Sequence, residues 1–208
     1  MQVVRAAVQK AYHSATMPLT DRLIRIGVGP NAITTVGAVV VVASAVAFGF
    51  GRVRLGGFLL LLSGLIDTLD GQVARTTGQT TLFGAFYDST LDRVGDGATF
   101  IGIAIFLLTT TGVRYPVLGA VLCMIAILSS LLVSYARARA EGLGLECKVG
   151  LVQRAERILL IGIPSMFIGP GPEAMVLFTV IGILALGSTI TVVQRFHYVR
   201  RVTVSGPN

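Results

Sequence analysis

Long uncharged stretches recur along this chain, and they decide in which solvent it can fold. Six runs lack Asp, Glu, Lys and Arg, and they cover residues 26–51, 55–66, 97–113, 115–136, 158–172 and 174–194. Hydrophobic residues occupy 53% of the 208 positions and charged residues only 13%. This balance is too apolar for a soluble globular domain of such length. We therefore expect an integral membrane protein.

Some of the runs are too short to cross a bilayer by themselves, because a crossing helix needs about 20 residues. A helix that begins near Leu55 must therefore continue through Asp67 and Asp70. The third helix must likewise take in the residues from Gly84 onward. With these extensions, the sequence predicts an all-α integral membrane protein with six transmembrane helices.

The basic residues orient the predicted helices. Thirteen of the 17 Lys and Arg residues fall at the termini and in the second and fourth loops, and three fall on the opposite side. By the positive-inside rule, both termini are cytosolic. Residues 1–27 alternate apolar and polar side chains, which predicts an amphipathic helix lying on the cytosolic leaflet. We predict a single domain over 1–208, with the six-helix bundle at about 31–200.

A net charge of +7 raises the question of a nucleic-acid partner. The charges flank apolar spans, however, and no recognised nucleic-acid module accompanies them. We therefore expect membrane lipid and phosphorylated substrates as partners, and no nucleic acid.

Acidic residues gather where the chain is otherwise apolar. Five of the ten fall within thirty positions, namely Asp67, Asp70, Asp88, Asp92 and Asp96. The first two are spaced i, i+3 and the next two i, i+4, so each pair shares a helical face. Carboxylates that converge in a membrane must be protonated or bridged by cations, and Mg²⁺, Mn²⁺ or Ca²⁺ suits such ligands. Structural or proton-relay carboxylates of a transporter would also fit the spacing.

The aspartates belong to a longer pattern, Asp67-x2-Asp70-Gly71-x2-Ala74-Arg75-x8-Gly84-x3-Asp88-x3-Asp92. It matches, at every fixed position, the signature of the CDP-alcohol phosphotransferase family, and most of the chain resembles that family. The resemblance implies homodimers with six transmembrane helices per subunit and an active site at the cytosolic face of the cell membrane. It also implies a transferase of phospholipid biosynthesis that moves the phosphatidyl group of CDP-diacylglycerol to an alcohol.

The family resemblance further implies two divalent ions, Mg²⁺ or Mn²⁺, in each active site. Asp67, Asp70 and Asp88 would hold the first ion, and Asp88 and Asp92 would help to hold the second. Asp92 is also the implied general base. We expect Asp96 to orient a neighbour rather than to bind metal.

Contacts to CDP-diacylglycerol are implied in the same way. Gly71, Arg75 and Thr81 resemble the nucleotide contacts of the family, and Gly71 leaves room for a ligand against the helix. The segment Pro30-Asn31-Ala32-Ile33-Thr34 is similar to an element of the family that reaches the nucleotide, so the predicted contacts include Asn31, Ala32, Ile33 and Thr34. This segment could equally be an ordinary turn and helix cap.

The cytosolic arginines bear on the identity of the acceptor alcohol. The stretches around Arg137, Arg154, Arg157 and Arg195 resemble the bacterial phosphatidylinositol-phosphate synthases, in which a Lys and two Arg bind the phosphate of inositol phosphate. Arg137 stands at the position of the Lys, while Arg157 and Arg195 match the two arginines. Ala155 departs from the usual Pro. The same arginines could instead anchor the cytosolic rim to anionic lipid.

Taken together, these features predict a bacterial enzyme that makes phosphatidylinositol phosphate from CDP-diacylglycerol and inositol 1-phosphate, with the four arginines at the acceptor phosphate. Two alternatives stay open at this point. One is a phosphatidylglycerol-phosphate synthase that uses glycerol 3-phosphate. The other, of a different class, is an ion-coupled transporter whose coupling site includes Asp67 and Asp88.

Overall fold

The chain folds into helices joined by short loops, as seen in a computed structural model that describes residues 16–204. Helix α1 comprises the helical residues 16–25, and no β-strand occurs between residues 16 and 204. The helices that follow are α2 (Pro30–Gly49), α3 (Val53–Thr76), α4 (Leu82–Thr109), α5 (Pro116–Glu141), α6 (Arg154–Phe167) and α7 (Met175–Val204), the last preceded by a 3-10 turn at Pro172–Ala174. The predicted all-α fold is confirmed.

The helices run through the acidic residues, as the short uncharged runs required. Helix α3 continues past Asp67 and Asp70, and α4 begins at Leu82. The start of α4 is capped by Thr81, whose Oγ1 accepts a hydrogen bond of 2.9 Å from the backbone N–H of Gly84. A side-chain cap satisfies an N–H that has no partner within the first turn of a helix. The aspartates therefore project from regular helices.

Between residues 16 and 204, three segments are long and apolar enough to cross a membrane: α2, α5 and the segment Pro172–Val204 that contains α7. Helices α3 and α4 are long, but each carries Asp and Arg within its apolar sequence. Helix α6 has 14 residues, which at about 1.5 Å per residue span roughly 21 Å of a hydrocarbon core of about 30 Å. The chain is a membrane protein with at least these three apolar segments.

Helix α2 packs against both α3 and α4, while α5 joins α4 to α7 and α6 lies against α3 and α7. Side chains at the centre of the bundle are fully or almost fully buried, among them Phe48, Phe100, Ile103, Leu107, Ile181 and Leu184. Aliphatic and aromatic packing thus occupies the middle of the bundle. The polar residues described below are confined to one end of it.

Glycines let the helices approach closely at two crossings. A Cβ on Gly102 of α4 would collide with the backbone carbonyl of Ala45 in α2. A Cβ on Gly57 of α3 would lie 2.6 Å from the backbone nitrogen of Met166 in α6, and Gly162 faces the same crossing. Small residues permit such backbone contact between membrane helices.

Helix α1 is fastened to α3 by polar contacts. The Thr20 hydroxyl donates to the side-chain carbonyl of Gln72 at 2.8 Å, and the Gln72 amide donates to Thr16 Oγ1 at 2.8 Å. Leu23 and Ile24 pack against a small core cluster on α2 and α3. Of the predicted amphipathic segment 1–27, residues 1–15 lie outside the described residues.

We predict that Gly102→Ala destabilises the bundle, because α2 and α4 must move apart to admit the methyl group. Gly97→Ala is the matched control in the same helix, since a Cβ there meets no atom within 4 Å. Alanine is a better helix former than glycine by about 1 kcal/mol, whereas overpacking costs about 1–3 kcal/mol. Thermal unfolding in detergent should show a lower Tm for Gly102→Ala only. Equal Tm values for the two variants would contradict the close crossing.

Candidate active site

Three aspartates meet where α3 and α4 come together. Asp67 and Asp70 of α3 and Asp88 of α4 each offer a carboxylate oxygen, and these oxygens all lie within 4.8 Å of one another. The Asp88 Oδ1 atom is buried and accepts no hydrogen bond from the described residues. Several carboxylate oxygens around one point are the ligand set that Mg²⁺, Mn²⁺ or Ca²⁺ takes. The three residues therefore fit a divalent ion, which would also satisfy the unpaired oxygen.

Helix α2 orients one member of this group. Asp70 is buried, and its Oδ2 accepts a hydrogen bond of 2.6 Å from the Thr34 hydroxyl. Thr34 was predicted only as a contact to the nucleotide, so its role toward the carboxylate was missed. The sequence indicated only that Thr34 lies one helical turn after Pro30, at the start of α2.

Asp92 lies outside the group of three and is paired with arginines. Its Oδ1 is 2.8 Å from Arg154 Nη1, and its Oδ2 is 3.3 Å from Arg93 Nη1. The same Nη1 of Arg154 donates to Asp67 Oδ2 at 2.5 Å. Arg154, which was predicted to bind the acceptor phosphate, therefore bridges carboxylates of α3 and α4. Ion pairing between these residues was not predicted.

Arg157 lies one turn further along α6 and is almost completely buried, at 4% exposure. Its Nη2 donates to Asp96 Oδ2 at 2.7 Å, and the Ser130 hydroxyl donates to the same oxygen at 3.3 Å. The remaining donors, Nε and Nη1, are buried and have no partner among the described residues. Leaving buried donors of a charged group unpaired costs free energy. Such donors are available to an anionic ligand.

The other two predicted acceptor arginines are engaged differently. The buried Arg195 of α7 donates from Nε to the backbone carbonyl of Val149 at 2.9 Å and from Nη1 to the carbonyl of Val133. It thereby ties α7 to α5 and to the segment that precedes α6. The exposed Arg137 forms an ion pair of 2.8 Å with Glu141, one turn along the same helix.

A cavity of about 160 Å³ opens beside the three aspartates, between α2, α3 and α4. Asp70 and Asp88 contribute to its wall, as do five of the predicted nucleotide contacts: Asn31, Thr34, Gly71, Arg75 and Thr81. The other two predicted contacts lie elsewhere. Ile33 is buried in the core cluster with Leu69 and Val73, and Ala32 is exposed on the first turn of α2.

Gly71 and Arg75 form one wall of this cavity together. A Cβ on Gly71 would lie 3.2 Å from Arg75 Nη1, so the guanidinium group folds back over the glycine. The missing side chain therefore leaves room for the arginine and for a ligand beside it. A cationic, planar group at this place suits a phosphate or the edge of a base.

Residues 28–197 match the model of the CDP-alcohol phosphatidyltransferase family. The chain belongs to the CDP-alcohol phosphatidyltransferase family. The resemblance inferred from the aspartate pattern is thereby confirmed, and the protein is a transferase of phospholipid synthesis. The cavity and the three aspartates lie within the matched residues.

Two curated relatives act in inositol lipid synthesis, as their names state. A phosphatidylinositol phosphate synthase of Mycobacteroides abscessus is 37% identical over 193 residues, which cover 92% of this chain and 86% of the relative. An archaetidylinositol phosphate synthase of Methanothermobacter thermautotrophicus is 40% identical over 182 residues, covering 88% and 87% of the two chains.

Solved structures of the Mycobacterium tuberculosis phosphatidylinositol phosphate synthase share the fold. The crystal structure with CDP-DAG bound is 33% identical, with a TM-score of 0.79, over 93% of this chain and 97% of that one. The structure in complex with manganese and citrate is 34% identical, with a TM-score of 0.78, over 88% of each chain. The manganese complex of that relative and the three converging aspartates here confirm the expectation of a divalent metal cofactor.

We predict that Asp88→Asn weakens Mn²⁺ binding by more than tenfold. Loss of an outer-shell partner alone commonly costs about 10–100-fold in metal affinity, and Asp88 would be a direct ligand. Asp96→Asn is the matched control, because it removes the same charge from α4 outside the group of three. Mn²⁺ titration of the purified protein, followed by electron paramagnetic resonance, makes the comparison. Equal losses in the two variants would argue against a site at Asp67, Asp70 and Asp88.

Proposed function

We propose that this enzyme transfers the phosphatidyl group of CDP-diacylglycerol to inositol 1-phosphate and releases CMP. The observation that carries the acceptor assignment is the buried Arg157, which pairs with Asp96 and has two further donors, Nε and Nη1, without a hydrogen-bond partner among the described residues. An acceptor that bears its own phosphate would satisfy these donors. The names of the relatives described above, which this chain covers by 86% or more, support the same acceptor.

The cavity between α2, α3 and α4 would hold the CDP end of the donor. Arg75 and Thr81 would contact the nucleotide, and Asn31 and Thr34 would border it from α2. We also retain the predicted contacts of Ala32 and Ile33 as part of this proposal, at the first turn of α2. When bound, two divalent ions held by Asp67, Asp70, Asp88 and Asp92 would neutralise the diphosphate.

Asp92 would act as the general base of the transfer. Its carboxylate takes the proton of the acceptor hydroxyl, and the hydroxyl oxygen forms a bond to the β-phosphorus of CDP-diacylglycerol. The bond from that phosphorus to the bridging oxygen breaks, and CMP leaves with the oxygen. A carboxylate beside the cluster is suited to this role because it can lie within hydrogen-bond reach of the bound acceptor.

The first turn of α6 would bind the acceptor phosphate. Arg154 and Arg157 lie on this turn, and the N-terminus of a helix adds a favourable field for an anion. Arg195 supports the site by holding the segment before α6, through the carbonyl of Val149. Arg137 completes the predicted set from the end of α5, where its guanidinium group is exposed to solvent.

We also propose the membrane arrangement that the charge pattern predicted. Six helices cross the bilayer of a bacterial cell, and helix α1, the described part of the predicted amphipathic segment, lies on the cytosolic leaflet. Both termini and the active site face the cytosol, as the basic residues around α6 and the termini favour. The single domain, residues 1–208 with its bundle at about 31–200, works as a homodimer among membrane lipids.

The acceptor is tested by the release of CMP from CDP-diacylglycerol in proteoliposomes. We expect release with inositol 1-phosphate to exceed release with unphosphorylated inositol by at least about tenfold, since a site built for a charged group rejects an analogue that lacks it. Release with glycerol 3-phosphate, which keeps the phosphate but lacks the ring hydroxyls, should also be lower. A preference for glycerol 3-phosphate would favour the phosphatidylglycerol-phosphate synthase. Solute flux without CMP release would favour the ion-coupled transporter.

We predict that Arg157→Lys raises the KM for inositol 1-phosphate by about tenfold and leaves the KM for CDP-diacylglycerol nearly unchanged. Lysine keeps the positive charge beside Asp96 but loses the planar fork that binds phosphate through two hydrogen bonds. Arg139→Lys is the control, because Arg139 is exposed at the end of α5. If both variants raise the KM equally, the arginines serve the membrane rim rather than the acceptor.

A further inference from the structure

Arg154 contacts carboxylate oxygens of two residues, Asp67 and Asp92, that would hold the proposed ions. Its Nη1 atom is 2.5 Å from Asp67 Oδ2 and 2.8 Å from Asp92 Oδ1, so one nitrogen bridges the two helices. The Arg154 side chain is 21% exposed and the Asp92 side chain 14%. The pair is therefore shielded from bulk water on most sides, and a shielded ion pair is less weakened by screening.

A guanidinium group and a divalent ion compete for these oxygens. A divalent ion such as Mg²⁺ would need carboxylate oxygens as its ligands, and the Arg154 nitrogen already contacts oxygens of Asp67 and Asp92. The two cations also repel each other at such short range. Binding of an ion by Asp92 therefore requires Arg154 to move.

Arg154 also lies near a second group of charges, formed by Asp96 of α4 and Arg157 of α6. Arg154 and Arg157 both border Asp96, at 4.0 Å from Nε of the former and 2.7 Å from Nη2 of the latter. The Nε atom of Arg154 and two donors of Arg157 are buried and form no hydrogen bond with the described residues. A phosphate group held by Arg157 would thus lie within reach of Arg154.

We infer that Arg154 exchanges between the Asp67–Asp92 pair and the phosphate of the acceptor. This inference rests on the proposed function. Acceptor binding draws the guanidinium group away and frees Asp92, and an ion that binds at Asp92 drives the group toward the phosphate. Because linkage between two sites is reciprocal, the acceptor and the ion strengthen each other's binding.

The exchange also explains how the enzyme selects a phosphorylated acceptor. Water or an unphosphorylated alcohol offers no charge to attract Arg154, so the arginine stays on Asp92. The ion site at Asp92 is then incomplete and the base is occupied. Arg154 is thus a positioning residue that keeps CDP-diacylglycerol from being hydrolysed until a phosphate is present.

The test measures Mn²⁺ binding to the purified full-length protein by isothermal titration, with and without inositol 1-phosphate. A titration without protein corrects for Mn²⁺ bound by inositol 1-phosphate in solution. In the wild type, inositol 1-phosphate should tighten Mn²⁺ binding by at least about fivefold, the lower end of typical coupling between sites. In Arg154→Gln, Mn²⁺ should bind more tightly without inositol 1-phosphate, and the coupling should disappear.

Arg93→Gln is the matched control, since Arg93 pairs with the other oxygen of Asp92 but lies on α4 rather than on the turn of α6 that carries Arg157. It should keep the coupling, whereas a general effect of positive charge near the ions would change both variants alike. If Arg154→Gln no longer binds inositol 1-phosphate, its Mn²⁺ affinity must still exceed that of Arg93→Gln. If Arg154→Gln does not fold, the test rests on whether inositol 1-phosphate tightens Mn²⁺ binding by the wild type.

Two results would overturn the exchange. One is a wild type that binds inositol 1-phosphate and shows unchanged Mn²⁺ affinity, and the other is an Arg154→Gln variant that retains the coupling. Both leave the proposed function intact if CMP is still released with inositol 1-phosphate. Conversely, an enzyme that binds no inositol 1-phosphate and releases no CMP with it refutes the proposed function, and with it the acceptor-driven exchange.

Discussion

Negative charge inside an apolar bundle must be balanced, and this requirement organises the polar end of the molecule. Each buried carboxylate loses its hydration, and the loss is compensated only by cations and hydrogen-bond donors. Arg154, Arg93 and Arg157 supply cations to Asp67, Asp92 and Asp96, while Thr34 donates to Asp70. The compensation is least complete around Asp88, whose Oδ1 accepts no hydrogen bond from any residue that the structure describes. The uncompensated charge of Asp88 therefore indicates where a divalent ion would bind.

The short helix α6 carries Arg154 and Arg157, and it brings them to the aspartates because it packs closely against α3. Gly57 and Gly162 let the two backbones approach closely at this crossing. The capping box at the start of α6, formed by Gln153 and Glu156, defines where the helix begins. Arg154 and Arg157 therefore enter the bundle at the level of the aspartates. Packing between small residues far from the chemistry thus determines where the positive charges lie.

Much of this arrangement could be predicted from the sequence because it depends on local patterns. The i, i+3 and i, i+4 spacing of the aspartates, together with the helix ends, made their common position predictable. The contacts of Arg154 could not be predicted in this way, since they depend on the crossing of α3 and α6, whose residues are about a hundred positions apart. Arg195 is a similar case, because its partners are backbone carbonyls and no side-chain pattern marks them.

Arg195 makes helix α7 a condition for securing the segment that leads into α6. The residue joins α5 to the segment before α6, and it reaches both from α7. During synthesis, the aspartates of α3 and α4 emerge and can fold long before α7 is made. A nascent protein therefore carries its acidic cluster before the segment that leads into α6 is secured. If the helices assemble in chain order, the contacts of Arg195 form only after α7 has been made.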